Sequence, residues 1–200
     1  MRELASRLSR SFALTSFTHE EIPYCDGFDS SSLPFQQHYL IARTEPTHNR
    51  PQRKHPAHGI LYVEGQPTII FDTVCTKDRK PWLANCEVHQ LLREVWTDAS
   101  AWLVGRYMIM PDHIHMFAAL TKDEIEFKNW AKYCNSQFSK RYKNRNCRWQ
   151  ADDWDTRMRS GRQYEEKWDY VRFNAVRHKL VTRPEDWPYQ GVMNELRWEE

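Results

Sequence analysis

Two histidines separated by one isoleucine, His113-Ile114-His115, lie inside the apolar stretch Tyr107–Ala118 and constrain the fold more than any other feature. On an extended strand, side chains two residues apart emerge on the same face, so one divalent metal ion can reach both imidazoles. The same alternation predicts an opposite, buried face that carries Met108, Met110, Ile114, Met116 and Leu120. The alternative is that both histidines are core residues whose ring nitrogens are satisfied by ordinary hydrogen bonds.

The composition is that of one folded domain. Two hundred residues, of which 40% are hydrophobic and 28% are charged, are enough to bury a core. No run approaches the ~18 apolar residues that span a bilayer, and the first residues lack the basic and apolar segments of a secretory signal. The sequence therefore predicts a cytoplasmic protein with no membrane partner. The five cysteines are odd in number and contain no Cys-x-x-Cys pair, which argues against a disulfide framework and a zinc ribbon.

The chain divides into three parts. Residues 1–57 are interpreted as an extension or arm, because the segment 46–56 holds three prolines among basic and imidazole side chains and is unsuited to a helix. Regular hydrophobic patterns begin near residue 58, and we predict that residues 58–192 form the folded domain. Residues 193–200 are expected to be a C-terminal tail.

Patterns in the domain predict alternating strands and helices. Apolar, β-branched runs at Ile60–Val63 and Thr68–Thr76 predict two strands. Asn85 can cap a helix whose apolar residues are three and four positions apart, and a last helix is expected at about 162–177. Together with the histidine strand, this order predicts an α+β fold. We expect a ferredoxin-like (RRM-like) antiparallel sheet with helices packed mainly on one face.

A basic helix is predicted from Lys122 to about Asn144. Its inner side is expected to carry Phe127, Trp130, Ala131, Cys134 and Phe138. Seven basic residues and no acidic one lie between Lys128 and Arg148, interleaved with aromatic residues, which is typical of a phosphate-binding surface. The candidate nucleic-acid contacts there are Lys128, Lys132, Lys140, Arg141, Lys143 and Arg145. The alternative is a solvated helix face whose aromatic residues anchor it to the core.

Three polar residues on the last predicted helix, Tyr170, Asn174 and Arg177, are spaced i, i+4 and i+7 and project from one face. Tyr164 is turned away from that face and is interpreted as structural. A phenol is a poor nucleophile at neutral pH because its pKa is about 10, but a divalent metal can polarise the phosphate that it attacks. Asn174 would add an oxygen ligand to the two histidines, a mixed set suited to Mg²⁺ or Mn²⁺. The alternative is an ordinary amphipathic helix.

Longer segments around these residues resemble one protein family. Val104–His115, followed by Trp168–Val181 and Arg183–Tyr189, resembles the REP-associated tyrosine transposases. These belong to the HUH single-strand nucleases, which are named for a histidine-hydrophobic-histidine motif. Two further segments resemble the family's first strand with its turn and the stretch before the tyrosine helix: Thr73–Trp82, and Trp149-Gln150 with Trp154.

The resemblance implies a metal-dependent single-stranded DNA transposase or endonuclease that cleaves and rejoins DNA at hairpin-flanked repeats. It implies that His113, His115 and Asn174 hold Mg²⁺ or Mn²⁺ and that Tyr170 attacks the DNA, leaving a covalent 5′-phosphotyrosine and a free 3′-hydroxyl. The reverse attack restores the DNA, so no nucleotide cofactor is expected. The basic helix and Arg177 would contact the DNA backbone, and aromatic residues could stack on unpaired bases.

The sequence departs from the family pattern at two positions. Ala175 follows Asn174 where the family usually has proline, and Thr156 stands where a histidine is expected. Asp155 is our candidate for a residue beside the metal ligands that partly replaces this histidine. These departures leave open a domesticated protein on the same fold that binds DNA hairpins but cuts slowly or not at all. An RNA-binding module is a third alternative, since ferredoxin-like sheets also serve that purpose.

Overall fold

A computed structural model describes residues 68–121 and 125–198 as a sheet with helices on both faces. The strands are β1 (Ile69–Cys75), β2 (Trp102–Ile109), β3 (His113–Leu120), β4 (Trp154–Arg157) and β5 (Gln190–Val192). The helices are α1 (Cys86–Asp98), α2 (Phe127–Arg141), α3 (Gly161–Arg172) and the single turn α4 (Asn174–Arg177). Two short 3-10 turns lie at Lys77–Arg79 and Pro184–Asp186. The extension 1–57 and the predicted strand Ile60–Val63 lie outside the described residues.

The five strands form one antiparallel sheet in the order β4-β1-β3-β2-β5. The first six elements run β1-α1-β2-β3-α2-β4, the βαββαβ order of a ferredoxin-like domain, and this confirms the predicted α+β fold. The strand β5 adds a fifth member at the free edge of β2.

Local sequence signals explain the two long helices of the ferredoxin-like unit. The Asn85 side chain accepts a hydrogen bond from the backbone N–H of Val88 and begins α1, as predicted. Helix α2 is shorter than the prediction, but its buried residues are those expected: Phe127, Trp130, Ala131, Cys134 and Phe138. Within residues 68–121 and 125–198, no helix combines the length and the hydrophobicity needed to cross a membrane.

The two faces of the sheet carry different helices. Tyr107 of β2 points toward α1, where its hydroxyl lies 2.8 Å from Nε2 of His89 and its ring packs on Trp96. The other face carries Phe117, whose ring packs on Tyr164 and Trp168 of α3. Helix α2 packs on α1, through an ion pair and the indole of Trp130 among other contacts. Thus α1 and α2 cover one face, and α3 covers the face that carries the odd-numbered residues of β3.

The predicted single histidine strand is instead a hairpin. Strands β2 and β3 are joined at residues 110–112, where Pro111 has no backbone N–H and Met110 N–H donates to the carbonyl of His113 at 2.7 Å. Met108 is therefore a cross-strand partner of His115 and lies on the same face as the histidines, so its predicted position was wrong. The assignment of Ile114 and Met116 to the opposite, buried face is confirmed.

The segment after β5 stays on the domain. Met193 N–H donates to the carbonyl of Gly105, and the Asn194 side chain donates to the carbonyl of Val104 at 2.8 Å. A Cβ at Gly105 would meet Leu196 at 2.6 Å, so this close approach requires glycine. Residues 193–196 thus run along β2, and Trp198 lies against Gly161 at the start of α3.

A buried acidic residue lies on the face covered by α1 and α2. Asp72 is fully buried, and no described side chain donates a hydrogen bond to its carboxylate, although the backbone N–H of Thr73 opposes the rise in its pKa. Burial raises its pKa well above the ordinary value, and the nearby charges of Asp153 and Asp155 raise it further. Burial is also the main cause that raises the pKa of Asp153 to about 6. The folded protein therefore holds protons here that the unfolded chain has lost.

This predicts that stability falls as the pH rises above about 4, where an unfolded aspartate releases its proton and the folded Asp72 keeps it. At lower pH both states are protonated and the effect is absent. Asp72→Asn stays neutral, so urea unfolding between pH 4 and 8 should show a flatter pH dependence than the wild type. Glu185→Gln, which removes an exposed carboxylate, should leave the wild-type dependence unchanged. Identical pH profiles for wild type and Asp72→Asn would contradict this account.

Candidate functional site

The two histidines of β3 face each other on the side of the sheet covered by α3. Their Nε2 atoms lie 3.1 Å apart. Phe71 of β1 stacks on the His115 ring, and the Thr73 hydroxyl lies 3.0 Å from His115 Nδ1. Cys75 is the cross-strand partner of His113. The alternation of the strand thus brings both rings to one point, as the sequence predicts.

A buried carboxylate orients the ring of His113. Asp112 Oδ1 lies 2.7 Å from His113 Nδ1, and its other oxygen forms an ion pair at 2.7 Å with Nε of Arg79. Because a carboxylate only accepts, the His113 proton sits on Nδ1, which leaves a lone pair on Nε2. Arg79 lies 3.3 Å from the same Nδ1 and neutralises the charge of the fully buried Asp112. The lone pair of His113 is therefore directed at His115 and α4.

Helix α4 brings a carboxamide to the histidines. The Asn174 Nδ2 group donates to His113 Nε2 at 3.2 Å, and Asn174 Oδ1 accepts from Arg177 at 3.1 Å. The Arg177 guanidinium lies 4.0 Å from the centre of the Tyr170 ring. Although the helix is interrupted at Phe173, Arg177 contacts both other residues, so the three predicted side chains share a face. Tyr170 is 60% exposed, which leaves its ring accessible to a substrate.

The Nε2 atoms of His113 and His115 can together bind a cation. Burial lowers the pKa of His115 well below its ordinary value, and the nearby His113 and Arg79 add to this, so the ring is neutral. The Thr73 hydroxyl can donate or accept, and it therefore allows either tautomer of His115. A cation that replaces the proton on His115 Nε2 would meet lone pairs from both rings.

Apart from the two imidazoles, the described residues offer few metal ligands. Among the residues that the structure describes, no group of three or more His, Cys, Asp or Glu side chains could hold a metal ion. Asn174 directs its amide nitrogen at His113, so the predicted oxygen ligand requires the amide to turn over and release Arg177. The histidine pair and Asn174 would thus leave most positions around Mg²⁺ or Mn²⁺ to water or substrate oxygens, as these ions commonly do.

The basic helix lies away from the histidines. Helix α2 packs on α1, on the opposite face of the sheet. Arg141 is paired with Asp98 at 2.6 Å, and Lys128 and Lys132 lie close enough to lower the pKa of Asp153. Of the seven predicted nucleic-acid contacts, Arg177 is the one that touches a residue of the candidate site.

Asp155 does not stand beside the histidines. It is the cross-strand partner of Asp72, on the face covered by α1 and α2, and its predicted position beside the metal ligands was wrong. The register of β4 explains the error, because adjacent strand residues point to opposite faces. Thr156 is the residue on the histidine face, where it pairs with Phe71.

Sequence reasoning missed the residues that hold the two histidines in place: Asp112 and Arg79 at His113, and Thr73 at His115. Asp112 precedes the histidine directly, and this adjacency was a usable signal. Thr73 could have been found from the alternation of β1, which places it with Phe71 on one face. Arg79 is brought in by a turn with two left-handed residues, Asp78 and Arg79, and the sequence gives no local sign of this.

Known proteins with similar sequences are named as transposases. No protein-family profile matches the sequence. The REP-associated tyrosine transposase of Escherichia coli (strain K12) is 25% identical over 131 residues, which cover 64% of this chain and 77% of that protein. The chain is thus similar to the REP-associated tyrosine transposases. A putative REP-associated tyrosine transposase of Haemophilus influenzae (strain KW20) is 27% identical over 105 residues, which cover 46% of this chain and 59% of that protein.

A solved structure supports the fold. The structure of a REP-associated tyrosine transposase bound to a REP hairpin matches with a TM-score of 0.57 and 23% sequence identity. The match covers 68% of this chain and 81% of that transposase chain. This match confirms the antiparallel α+β fold. The two similar transposase sequences bear out the resemblance inferred from the histidine and tyrosine segments.

The geometry predicts that Asp112→Asn weakens the fold and disturbs His113. Arg79 would lose its charged partner and His113 Nδ1–H its strong acceptor, at a cost of about 2 kcal/mol in the free energy of unfolding. Urea unfolding would measure this loss, and ¹⁵N NMR of the imidazoles would show a smaller fraction of the Nδ1–H tautomer of His113. Asp186→Asn, which breaks an exposed ion pair with Arg183, is the matched control and should change neither reading. An unaltered tautomer in Asp112→Asn would refute the assigned role.

Proposed function

We propose that this protein is a transposase that cleaves and rejoins single-stranded DNA through a covalent 5′-phosphotyrosine at Tyr170. The observation that carries the proposal is the convergence on His113 of His115 and Asn174, with Arg177 connecting Asn174 to the exposed ring of Tyr170. The relatives named as transposases support the same reading.

In the proposed reaction, the Tyr170 hydroxyl oxygen attacks the phosphorus of a DNA phosphodiester. A bond forms between the tyrosine oxygen and phosphorus, and the bond from phosphorus to the 3′-oxygen breaks. The proton lost by the phenol balances the proton gained by the 3′-hydroxyl. Because one phosphodiester is exchanged for another, the 3′-hydroxyl can attack the phosphotyrosine and restore the DNA without a nucleotide cofactor.

Residues of this chain would hold both reactants. His113 and His115, with Asn174 after its amide turns over, would bind Mg²⁺ or Mn²⁺, which neutralises charge on the phosphate as a Lewis acid. Asp112 keeps the His113 lone pair pointed at the site, and Thr73 accommodates the neutral His115. Arg177, released from Asn174, would carry its charge to the phosphate beside Tyr170.

The proposed substrate is DNA that carries a hairpin next to the cleavage point. A structural neighbour of the same fold is described bound to a REP hairpin, which supports a hairpin here. An unpaired strand can bend toward the exposed ring of Tyr170 more readily than a stacked duplex can. We therefore expect cleavage in the single strand beside the hairpin.

A second candidate is a protein that binds DNA hairpins on this fold but cuts weakly or not at all. The observation in its favour is the orientation of Asn174, whose oxygen is engaged by Arg177 rather than directed at the histidines. Thr156 adds to this, since it stands at the position where the family has a histidine.

The first proposal predicts that Tyr170→Phe abolishes a covalent adduct. A 3′-labelled hairpin with a single-stranded flank, incubated with the protein and Mn²⁺ or Mg²⁺, should become attached to the wild-type chain and resist denaturing electrophoresis. The phenylalanine variant lacks the nucleophile and should retain hairpin binding. Tyr133→Phe removes an exposed hydroxyl from α2, on the other face, and should form the adduct normally.

If the wild type binds the hairpin but gives no adduct with either metal, the second candidate is correct. An adduct that persists in Tyr170→Phe would rule out the assigned nucleophile. Competition by unlabelled RNA that is much stronger than competition by DNA of the same sequence would favour an RNA-binding module.

The proposal also predicts that removal of either histidine weakens metal binding. Isothermal titration of Mn²⁺ should show an affinity at least about tenfold lower for His113→Gln and for His115→Gln. His89→Gln changes a buried histidine on the opposite face and should leave the affinity as it is. If His113→Gln and His115→Gln bind Mn²⁺ as tightly as the wild type and His89→Gln do, the proposed ligand set is wrong.

A further inference from the structure

Backbone strain is concentrated beside the histidine pair. Among residues 68–121 and 125–198, three non-glycine residues adopt a left-handed conformation: Asp78 (φ 58°), Arg79 (φ 55°) and Lys179 (φ 57°). Side chains at such positions crowd the backbone, and glycine would relieve the strain. All three lie in the two segments that flank the site, one after β1 and one after α4. Strain of this kind is commonly found where a side chain has a task.

Both segments carry cations, and one arginine of each contacts the site. The first carries Lys77, Arg79 and Lys80, and Arg79 lies 3.3 Å from His113 Nδ1. The second carries Arg177 and Lys179, and Arg177 contacts Asn174, which itself contacts His113. We name these five residues the cationic rim.

The lysines of the rim have no task within the fold. Lys77, Lys80 and Lys179 are exposed, and none of them forms an ion pair with a described residue. The two segments that hold the rim contain one acidic residue, Asp78, and the nearby Asp112 is already neutralised by Arg79. The rim therefore has an excess of positive charge at the site.

The basic helix α2 is a weaker candidate for the same task. It lies on the opposite face of the sheet, and Arg141, Lys128 and Lys132 have acidic neighbours there.

We propose that the cationic rim, and not helix α2, binds the phosphates of the single strand on either side of the cleavage point. This inference rests on the proposed function, because it assigns the path of the strand through that site. The left-handed Lys179 is then explained, since glycine would be less strained but would carry no charge.

Anisotropy of a fluorescein-labelled oligothymidylate, measured in EDTA with the full chain, tests the rim without the chemical step. The triple variant Lys77→Gln/Lys80→Gln/Lys179→Gln should bind about tenfold or more weakly, with a salt dependence shallower by about 2 in log–log slope. The matched triple Lys128→Gln/Lys132→Gln/Lys140→Gln removes three exposed charges from α2 itself, and its affinity should change less than about twofold.

Single variants at Lys179 separate charge from strain. Lys179→Gly should raise the melting temperature while it weakens binding, and Lys179→Arg should keep the wild-type affinity. A Lys179→Gly variant that binds as the wild type does would overturn the assignment of this residue.

The rim is refuted if the α2 triple loses as much affinity as the rim triple, or if the wild type does not bind the oligonucleotide. Its failure is distinguishable from failure of the proposed chemistry. If the rim lysines are needed for binding but no Tyr170 adduct forms, the proposed cleavage reaction alone is refuted. If the adduct forms but binding does not depend on the rim lysines, the assignment of the rim alone is refuted.

Discussion

The contacts of His113 hold the candidate site together. Its Nδ1–H is fixed by Asp112, which in turn holds Arg79 in a left-handed turn, and its Nε2 receives Asn174 from α4. One imidazole therefore links β3, the turn after β1 and the helix that follows Tyr170. These contacts tie the helix that follows Tyr170 to the histidine pair, in addition to the packing of α3 on Phe117.

One face of the sheet is an apolar core and the other carries the candidate site, because adjacent residues of a strand point to opposite faces. Even-numbered residues of β3 pack under α1 and α2 and supply an apolar core, whereas His113, His115 and Phe117 face α3. Because α3 and α4 cross this second face, the chain can place polar chemistry there without exposing its core. The same separation places the basic helix α2 on the face opposite the histidines.

Patterns that depend on neighbouring residues could be predicted from the sequence. The cap at Asn85, the buried side of α2 and the shared face of Tyr170, Asn174 and Arg177 each follow from helical spacing. The hairpin at Pro111 was missed because apolar alternation continues on both sides of the turn. The position of Asp155 was missed because the register of β4 is set by its pairing with β1, and the role of Arg79 because it depends on a contact thirty-four residues away.

The claim that the histidine pair and Tyr170 form one site is tested most directly by anomalous diffraction from crystals soaked in Mn²⁺. The account predicts a single strong peak bonded to Nε2 of His113 and of His115, with the Asn174 oxygen turned toward it and the Tyr170 hydroxyl facing the same space. A peak at other residues, or a Tyr170 hydroxyl directed away from the bound ion, would contradict the account.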